Sequence, residues 1–197
     1  MEHQAARAPA RERLLDAAED LFHSRGIAAT SVDAVLQRAH AAPATLYAHF
    51  DGKDHLVAAY LQRRHERWRG VWDDVLDERD DPWERALSVF DALERLHDGV
   101  DAPLGCAFLG AAVEISDPGH PAHRWLQADT ELLAQRLPAL AREAGAQDPE
   151  ALAAELLLLY DGALAARTRA RTNPGERRLA RTRARDLAAA AVDRHRP

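Results

Sequence analysis

The segment from Thr30 to Lys53 brings together short apolar, hydroxyl, aromatic and basic side chains. Methyl and hydroxyl groups can contact base edges, while a phenol, an imidazole or an ammonium group can contact phosphates in a DNA major groove. Tyr47 and Lys53 would bind phosphates. Pro43 and Thr45 would contact base edges, and His49 could do either. The candidate DNA contacts are Thr30, Ser31, Ala42, Pro43, Ala44, Thr45, Tyr47, His49 and Lys53.

Two short helices joined by a brief turn would position these side chains. In the first helix, apolar residues recur at i, i+3, i+4 and i+7 and form one buried face, made of Val32, Val35, Leu36 and Ala39. Thr30 or Ser31 can cap its start, and Pro43 suits the first position of the second helix. Leu46 and Phe50 would then face the core. The spacing predicts a helix-turn-helix whose second helix reads DNA.

The motif around these helices is longer than the helices themselves. A helix ending in F-x-x-x-G is followed by T-S-V and by T-L-Y-x-H-F-x-x-K, which here are Phe22, Gly26, Thr30-Ser31-Val32, Thr45-Leu46-Tyr47, His49-Phe50 and Lys53. This arrangement resembles the TetR family of transcriptional regulators. The sequence departs from the family pattern at His40, Ala42 and Pro43, where a turn glycine, a capping serine and a polar contact residue are common. These departures affect the preferred DNA sequence rather than the fold.

The resemblance implies a division of labour along the chain. Residues 1–52 would form a three-helix DNA-binding domain, with 1–8 as a flexible tail, and residues 53–197 would form a larger domain for ligand binding and dimerisation. The implied function is a ligand-responsive regulator, most often a repressor, that binds a palindromic operator as a homodimer.

Helical periodicity continues through the rest of the chain, and no strand pattern competes with it. The expected fold is therefore all-α, with about nine helices. Beyond the helix-turn-helix, the predicted helices cover residues 9–25, 53–77, 82–96, 106–115, 121–144, 148–171 and 176–194, with a loop at 100–105. The helix at 53–77 is long enough to reach from one domain into the other.

The charge balance leaves an alternative open. The net charge is -6, and residues 1–55 hold six Lys or Arg against eight Asp or Glu, which is unusual for a DNA-binding head. Arg11, Arg13 and Arg38 could still lie on the DNA side if the acids of the first helix, Asp16, Glu19 and Asp20, face away. The alternative is a helical interaction or ligand-binding module that has lost specific DNA binding.

Aromatic and apolar residues of the later helices could wall an effector pocket, although each could equally be plain core. The candidates are Trp68, Trp72, Phe90, Phe108, Leu109, Val113, Trp125, Asp129, Leu133 and Tyr160. Polar groups on otherwise apolar helices are further clues: Ser88, Glu114, Asp129, Thr130 and Asp161. Glu114 and Asp161 could also reach solvent or cap a neighbouring element. We expect a bulky, mainly apolar effector; the alternative is a solidly packed interior.

The helix at 148–171 is apolar nearly all the way round, so it needs cover on two sides. We predict a dimer interface that includes Leu156, Leu159, Ala163, Leu187 and Ala190; the alternative is a helix buried wholly within its own chain. Residues 167–197 hold ten arginines against three acids. These arginines could pair with acids such as Glu143, Glu150 or Glu155, contact DNA nonspecifically, or aid dimer specificity.

Other classes of protein find little support. Cys106 is the single cysteine, and no serine lies in a nucleophile-elbow motif, so we expect no enzyme. His97, His120 and His123 suggest exposed histidines more than a zinc site, and we predict neither a metal nor another cofactor. The chain has no run of eighteen apolar residues and no signal-peptide core at its start, which predicts a cytoplasmic protein.

Overall fold

The computed structural model describes residues 9–97, 106–169 and 174–197, and the side chains of all of these except 97 and 174–182. The predicted tail at 1–8 and the predicted loop at 100–105 lie outside them. The described residues form nine helices and no strand, which confirms the all-α fold. The helices are α1 (Ala10–Arg25), α2 (Val32–Ala39), α3 (Pro43–Tyr47), α4 (Lys53–Asp77), α5 (Pro82–His97), α6 (Ala107–Glu114), α7 (His123–Glu143), α8 (Pro149–Arg169) and α9 (Pro174–Arg194).

Short-range signals in the sequence start and stop these helices. The Asp81 carboxylate accepts hydrogen bonds from the N–H groups of Trp83 (2.8 Å) and Glu84 (2.9 Å), which caps α5. Asp148 caps α8 in the same way through the N–H of Ala151, at 3.0 Å. Gly26 ends α1 with a φ of 93°, a conformation that favours glycine. These boundaries follow from local chemistry alone.

The chain divides into two compact units, and the first contains residues 9–65 and 106–127. Its core joins the buried faces of α1 to α3 and the first half of α4 with three residues from the α6 region, Phe108, Ala111 and Ile115. α6 therefore packs with the helix-turn-helix although it lies far downstream in the sequence. The predicted division of roles at residue 53 stays a prediction; the packing boundary falls inside α4, after His65.

The second unit contains residues 66–97, 128–169 and 174–197. α9 packs against α8 and α5. The Trp68 ring lies 5.5 Å from that of Trp72 and 5.9 Å from that of Tyr160, between ring centroids. The indole N–H of Trp72 donates to the Ser88 hydroxyl at 2.8 Å, so this buried serine has a structural role. None of the helices in the described parts of the chain is long and apolar enough to cross a membrane.

Candidate nucleic-acid interface

Local hydrogen bonds fix both ends of α2. The Ser31 hydroxyl accepts from the N–H of Ala34 at 3.1 Å, so Ser31 is the N-cap. At the other end, the N–H of Ala41 bonds the carbonyl of Leu36 (3.0 Å) and the N–H of His40 bonds that of Gln37 (3.3 Å). This pair of bonds is a Schellman motif, and His40 adopts its left-handed position with φ 49° and ψ 49°. The turn therefore forms without the usual glycine.

α3 is a single short helix anchored by its apolar side. Pro43 is its first residue, and Ala42 before it makes no side-chain cap. Leu46 is fully buried and Phe50 nearly so, which turns the opposite side of α3 outward. Ala42, Pro43, Ala44 and His49 are exposed, Tyr47 is 63% exposed, and Thr45 and Lys53 are half-buried. An open groove of about 390 Å³ lies between α2 and α3, lined by Asp33, Leu36, Gln37, His40, Ala41 and Pro43.

Thr30 is a correction to the predicted set. Its side chain is 1% exposed, and its hydroxyl donates to the carbonyl of Gly26 at 2.7 Å. The hydroxyl therefore closes the loop between α1 and α2 and is turned away from any ligand. Ser31 is exposed, but its oxygen caps α2. Both residues belong to the motif because they shape the backbone.

The acids of α1 are engaged in ion pairs with arginines of neighbouring helices. Arg63 of α4 lies 2.7 Å from Asp16 and 2.6 Å from Glu19. Arg38 of α2 lies 2.7 Å from Asp20, with both side chains exposed. These pairs offset the local excess of negative charge, although each exposed pair contributes little to stability. Arg38 is thereby drawn toward α1.

Two further basic residues have distinct surroundings. The guanidinium of Arg11 lies over the Phe50 ring, 5.5 Å from its centroid, and is 3.2 Å from Glu12. Lys53 is the only lysine of the sequence and forms no ion pair with any residue that the structure describes. It is the first residue of α4, and its side chain is half-buried.

The ten candidates for effector binding are divided between the two units. Trp68, Trp72, Phe90, Asp129, Leu133 and Tyr160 belong to the second unit, while Phe108, Leu109, Val113 and Trp125 belong to the first. Leu109 is 49% exposed and Val113 is 86% exposed, because both lie on the solvent side of α6. Their part in an effector site stays a prediction. The other apolar members are buried, except Trp125, which is half-buried.

Two polar groups stand out among the candidates of the second unit. Burial, and then the negative charge of Asp161, raises the pKa of Asp129 to about 7. The indole N–H of Trp68 is buried and has no hydrogen-bond partner among the described residues. A void beside Phe90 has a volume of about 10 Å³, room for one water molecule. This void is too small for an effector.

The predicted dimer residues fall on two different sides of α8 and α9. Leu156 is fully buried and Ala163 is 6% exposed, so both are core residues of their own chain, which corrects the prediction for these two. Leu159 is half-buried, Leu187 is 57% exposed and Ala190 is exposed. Leu158 is 73% exposed and was missing from the predicted set. An all-round apolar helix carries no periodic signal that separates Leu156 from Leu158.

Three arginines of the basic C-terminal region form ion pairs with described residues: Arg185, Arg194 and Arg196. Arg185 lies 2.7 Å from both Asp91 and Glu84. Arg194 lies 2.6 Å from Glu155, one of the acids with which the C-terminal arginines were predicted to pair. The other two predicted partners of the C-terminal arginines pair with arginines of other helices, Glu143 with Arg85 and Glu150 with Arg142. The side chains of 177, 178 and 181 lie outside the described residues.

Of the histidines considered for metal binding, His120 and His123 make structural contacts, and the side chain of His97 lies outside the described residues. His120 Nδ1 accepts from the N–H of Ala122 at 3.1 Å, and its Nε2 lies 3.4 Å from Asp54. His123 Nε2 lies 2.7 Å from the carbonyl of Asp117. In the part of the chain that the structure describes, no three His, Cys, Asp or Glu residues form a group that could hold a metal ion.

Comparison with known proteins agrees with this geometry. The sequence profile of the bacterial regulatory proteins of the tetR family matches residues 14–60. The HTH-type transcriptional regulator UidR of Escherichia coli is 36% identical over 59 residues, which span 30% of this chain and 30% of UidR. The match to this curated relative is thus confined to about 30% of its length.

Two solved structures extend the similarity over nearly the whole chain. A TetR-family transcriptional regulator from Streptomyces coelicolor is 28% identical with a TM-score of 0.85, covering 94% of this chain and 95% of its own. A protein from Streptomyces avermitilis assigned to the TetR regulators is 32% identical with a TM-score of 0.68, covering 92% of this chain and 98% of its own. The helix-turn-helix, the helical body and these similarities together show that the chain belongs to the TetR family of helix-turn-helix transcriptional regulators.

Proposed function

We propose that this regulator is a ligand-responsive repressor that binds a palindromic operator as a homodimer and is released by a small, mainly apolar effector. The observation that carries the proposal is the exposed side of α3, held outward by buried Leu46 and Phe50. A short helix with small and polar groups on its outer side fits the major groove. A regulator of chromosomal DNA would act in the cytoplasm.

The proposed contacts follow from exposure and chemistry. Tyr47 and Lys53 would bind phosphates and set the register of the helix on DNA. Pro43, Ala44 and Thr45 would contact base edges or thymine methyl groups. With few basic groups available, each protomer would make weak contacts, and affinity would fall only gently with added salt. Binding of two protomers to one inverted repeat would compensate for the weak contacts of each protomer.

The dimer would form through the exposed apolar side of α8 and α9. Leu158 and Leu187 are large apolar side chains that stand in solvent in the single chain, and Leu159 and Ala190 accompany them. Apolar residues exposed on two helices that pack together are typical of an interface. Half-sites one DNA turn apart, roughly 34–36 Å, would then set the spacing of the two α3 helices.

Effector release would depend on α4, which begins in the first unit with Lys53 and continues into the second with Trp68 and Trp72. A molecule bound among the apolar residues of the second unit would displace this helix and change the spacing of the two α3 helices. Because Asp129 lies among those residues, a cationic or hydroxylated effector is compatible with the same region. By linkage, DNA binding must weaken effector binding by the same factor.

Selection of bound sequences from random DNA tests the proposal directly. We expect an enriched inverted repeat. Tyr47→Ala should then weaken binding to all sequences by about 1 kcal/mol per protomer, whereas Thr45→Ala should change the preferred base. Reductive methylation offers an independent check, because Lys53 and the N-terminal amine are the only amines; operator DNA should protect Lys53. Selection that enriches no palindrome would contradict the proposal.

The alternative, an interaction module without specific DNA binding, rests on the acidic balance of the head and on the departures from the family pattern at His40, Ala42 and Pro43. The ion pairs of Asp16 and Glu19 with Arg63 weaken that basis, because Arg63 lies outside residues 1–55 and brings positive charge to these acids. An effector screen read by tryptophan fluorescence and by release from operator DNA would separate the two functions. Compounds that change the fluorescence but leave DNA binding untouched would argue against coupling through α4.

A further inference from the structure

Glu114, the last residue of α6, reaches the loop between α1 and α2. Its Oε2 accepts a hydrogen bond from the backbone N–H of Ala28 at 2.5 Å. Its Oε1 lies beside Gly26, 3.1 Å from where a Cβ on that residue would stand. Gly26 has a φ of 93° and no side chain, so the loop leaves room for the carboxylate. Both carboxylate oxygens therefore lie against the same short loop.

This loop leads directly into the helix-turn-helix. The Thr30 hydroxyl donates to the Gly26 carbonyl at 2.7 Å, and the Thr30 N–H bonds the Ile27 carbonyl at 3.3 Å. Ser31, the next residue, is the N-cap of α2. The position of Ala28 is thus linked through one closed loop to the first turn of α2. A shift of the loop would move the start of the helix that supports α3.

The helix that carries Glu114, α6, is also fixed in place by packing. α6 packs into the core of the first unit through Phe108, Ala111 and the adjoining Ile115, all buried. Glu114 is separated from Ala28 by 86 positions in sequence, so the bond connects two distant parts of the chain. A carboxylate that served only for solubility would have no reason to accept a backbone N–H. A charge-assisted bond to a backbone amide is stronger than a neutral one.

We propose that Glu114 is a positioning residue for DNA recognition, which holds the loop at 26–30 so that α2 and α3 present their outer side to the operator. This inference rests on the proposed DNA-binding function. Glu114 itself need not touch DNA, and its negative charge would be unfavourable close to phosphates. Its effect on affinity comes from the hydrogen bond to Ala28.

A pair of substitutions separates the hydrogen bond from the charge. Glu114→Gln removes the charge but keeps a side-chain oxygen that can accept from Ala28, whereas Glu114→Ala removes both. Asp77→Ala is the control for loss of one exposed carboxylate, since Asp77 stands exposed at the end of α4. We expect Glu114→Ala to lower operator affinity about three- to tenfold, and Glu114→Gln and Asp77→Ala to stay within about twofold of the wild type.

The amide signal of Ala28 in NMR spectra provides a readout that does not depend on DNA. In the wild type it should lie where hydrogen-bonded amides lie, Glu114→Gln should keep it near that position, and Glu114→Ala should move it toward that of a free amide. Circular dichroism of Glu114→Ala should show an unchanged helix content. Binding by Glu114→Ala at wild-type affinity or tighter, or an Ala28 signal that Glu114→Ala leaves in place, would overturn the proposal.

Failure of the proposed function gives a different pattern. If the wild type selects no DNA sequence, DNA recognition itself is wrong, and the role assigned to Glu114 in it is wrong as well, whatever the Ala28 signal shows. If the wild type selects an operator and Glu114→Ala binds it equally well, only the positioning role is overturned. The two results are distinguished by the wild-type selection alone.

Discussion

In each compact unit, burial holds a titratable side chain toward its neutral form, and the two groups compared, His23 and Asp129, have opposite charges when ionised. In the first unit, burial and then the charge of Arg64 lower the pKa of His23. In the second, burial and then the charge of Asp161 raise the pKa of Asp129 to about 7. The same physical cause, desolvation, therefore makes one unit sensitive to acid and the other sensitive to base.

The units also differ in where their functional candidates lie. The first unit presents exposed side chains on a scaffold fixed by caps and a buried apolar side. The second unit buries most of its candidates for effector binding, so substitutions at those positions will alter stability before they alter binding. Substitutions at matched positions in the two units test this contrast.

The largest effect should come from truncating a fully buried leucine in each unit. Leu46→Ala and Leu156→Ala both act at 0% exposed side chains, and each should lower the free energy of unfolding by about 2–5 kcal/mol. Hydrogen exchange should rise mainly in the unit that carries the substitution. Equal acceleration throughout the chain for both variants would show that the two units unfold as one.

A charge placed on the exposed side of α8 should act on association and leave the folded chain intact. Leu158→Arg should weaken the dimer by several kcal/mol, because it leaves an unpaired charge in an apolar interface. Val113→Arg is the matched control, since Val113 is equally apolar and 86% exposed but lies on α6. Sedimentation velocity measures both. A wild type that sediments as a monomer at micromolar concentration would rule out the dimer.

Opposite pH responses should follow from His23 and Asp129. Between about pH 4 and pH 7 the folded state holds the Asp129 proton more tightly than the unfolded state, so stability from this group falls as pH rises. Asp129→Asn should remove that slope and be more stable than the wild type at pH 8. For His23 the unfolded state binds the proton more tightly, so stability falls as pH drops below about 6.5.

Chemical denaturation of the wild type, Asp129→Asn and His23→Gln at pH 5 and pH 8 checks both signs. The free energy of unfolding of Asp129→Asn should exceed that of the wild type by an amount that grows toward high pH. His23→Gln should lose less stability in acid than the wild type. If the stability of the wild type relative to each variant changed in the same direction from pH 5 to pH 8, the contrast between the units would be contradicted.

The smallest effect concerns one backbone motif that occurs in both units. Gly145 ends α7 with a φ of 74° and the same pair of bonds that His40 makes at the end of α2. His40→Gly should stabilise the protein by up to about 1 kcal/mol, and Gly145→Ala should destabilise it by a similar amount. Thermal unfolding measures both changes. A stability loss in His40→Gly would show that the imidazole makes a compensating contact.

Local rules made the helix-turn-helix readable from the sequence. The N-cap at Ser31, the left-handed turn at His40 and the apolar repeat from Val32 to Ala39 each depend on residues within about one helical turn of one another. The family resemblance and the all-α fold rest on the same short-range patterns. The bounds of α4 could likewise be predicted from one uninterrupted helical period.

Tertiary packing decided what those patterns leave open. Thr30 turned inward because its hydroxyl closes a loop, and α6 joined the first unit because Phe108 and Ile115 complete that core. In α8 every side is apolar, so the period of 3.6 cannot say that Leu156 is buried while Leu158 is exposed. Glu114 could be recognised in the sequence only as a polar residue on an apolar helix, because its partner, Ala28, is brought to it by the fold alone.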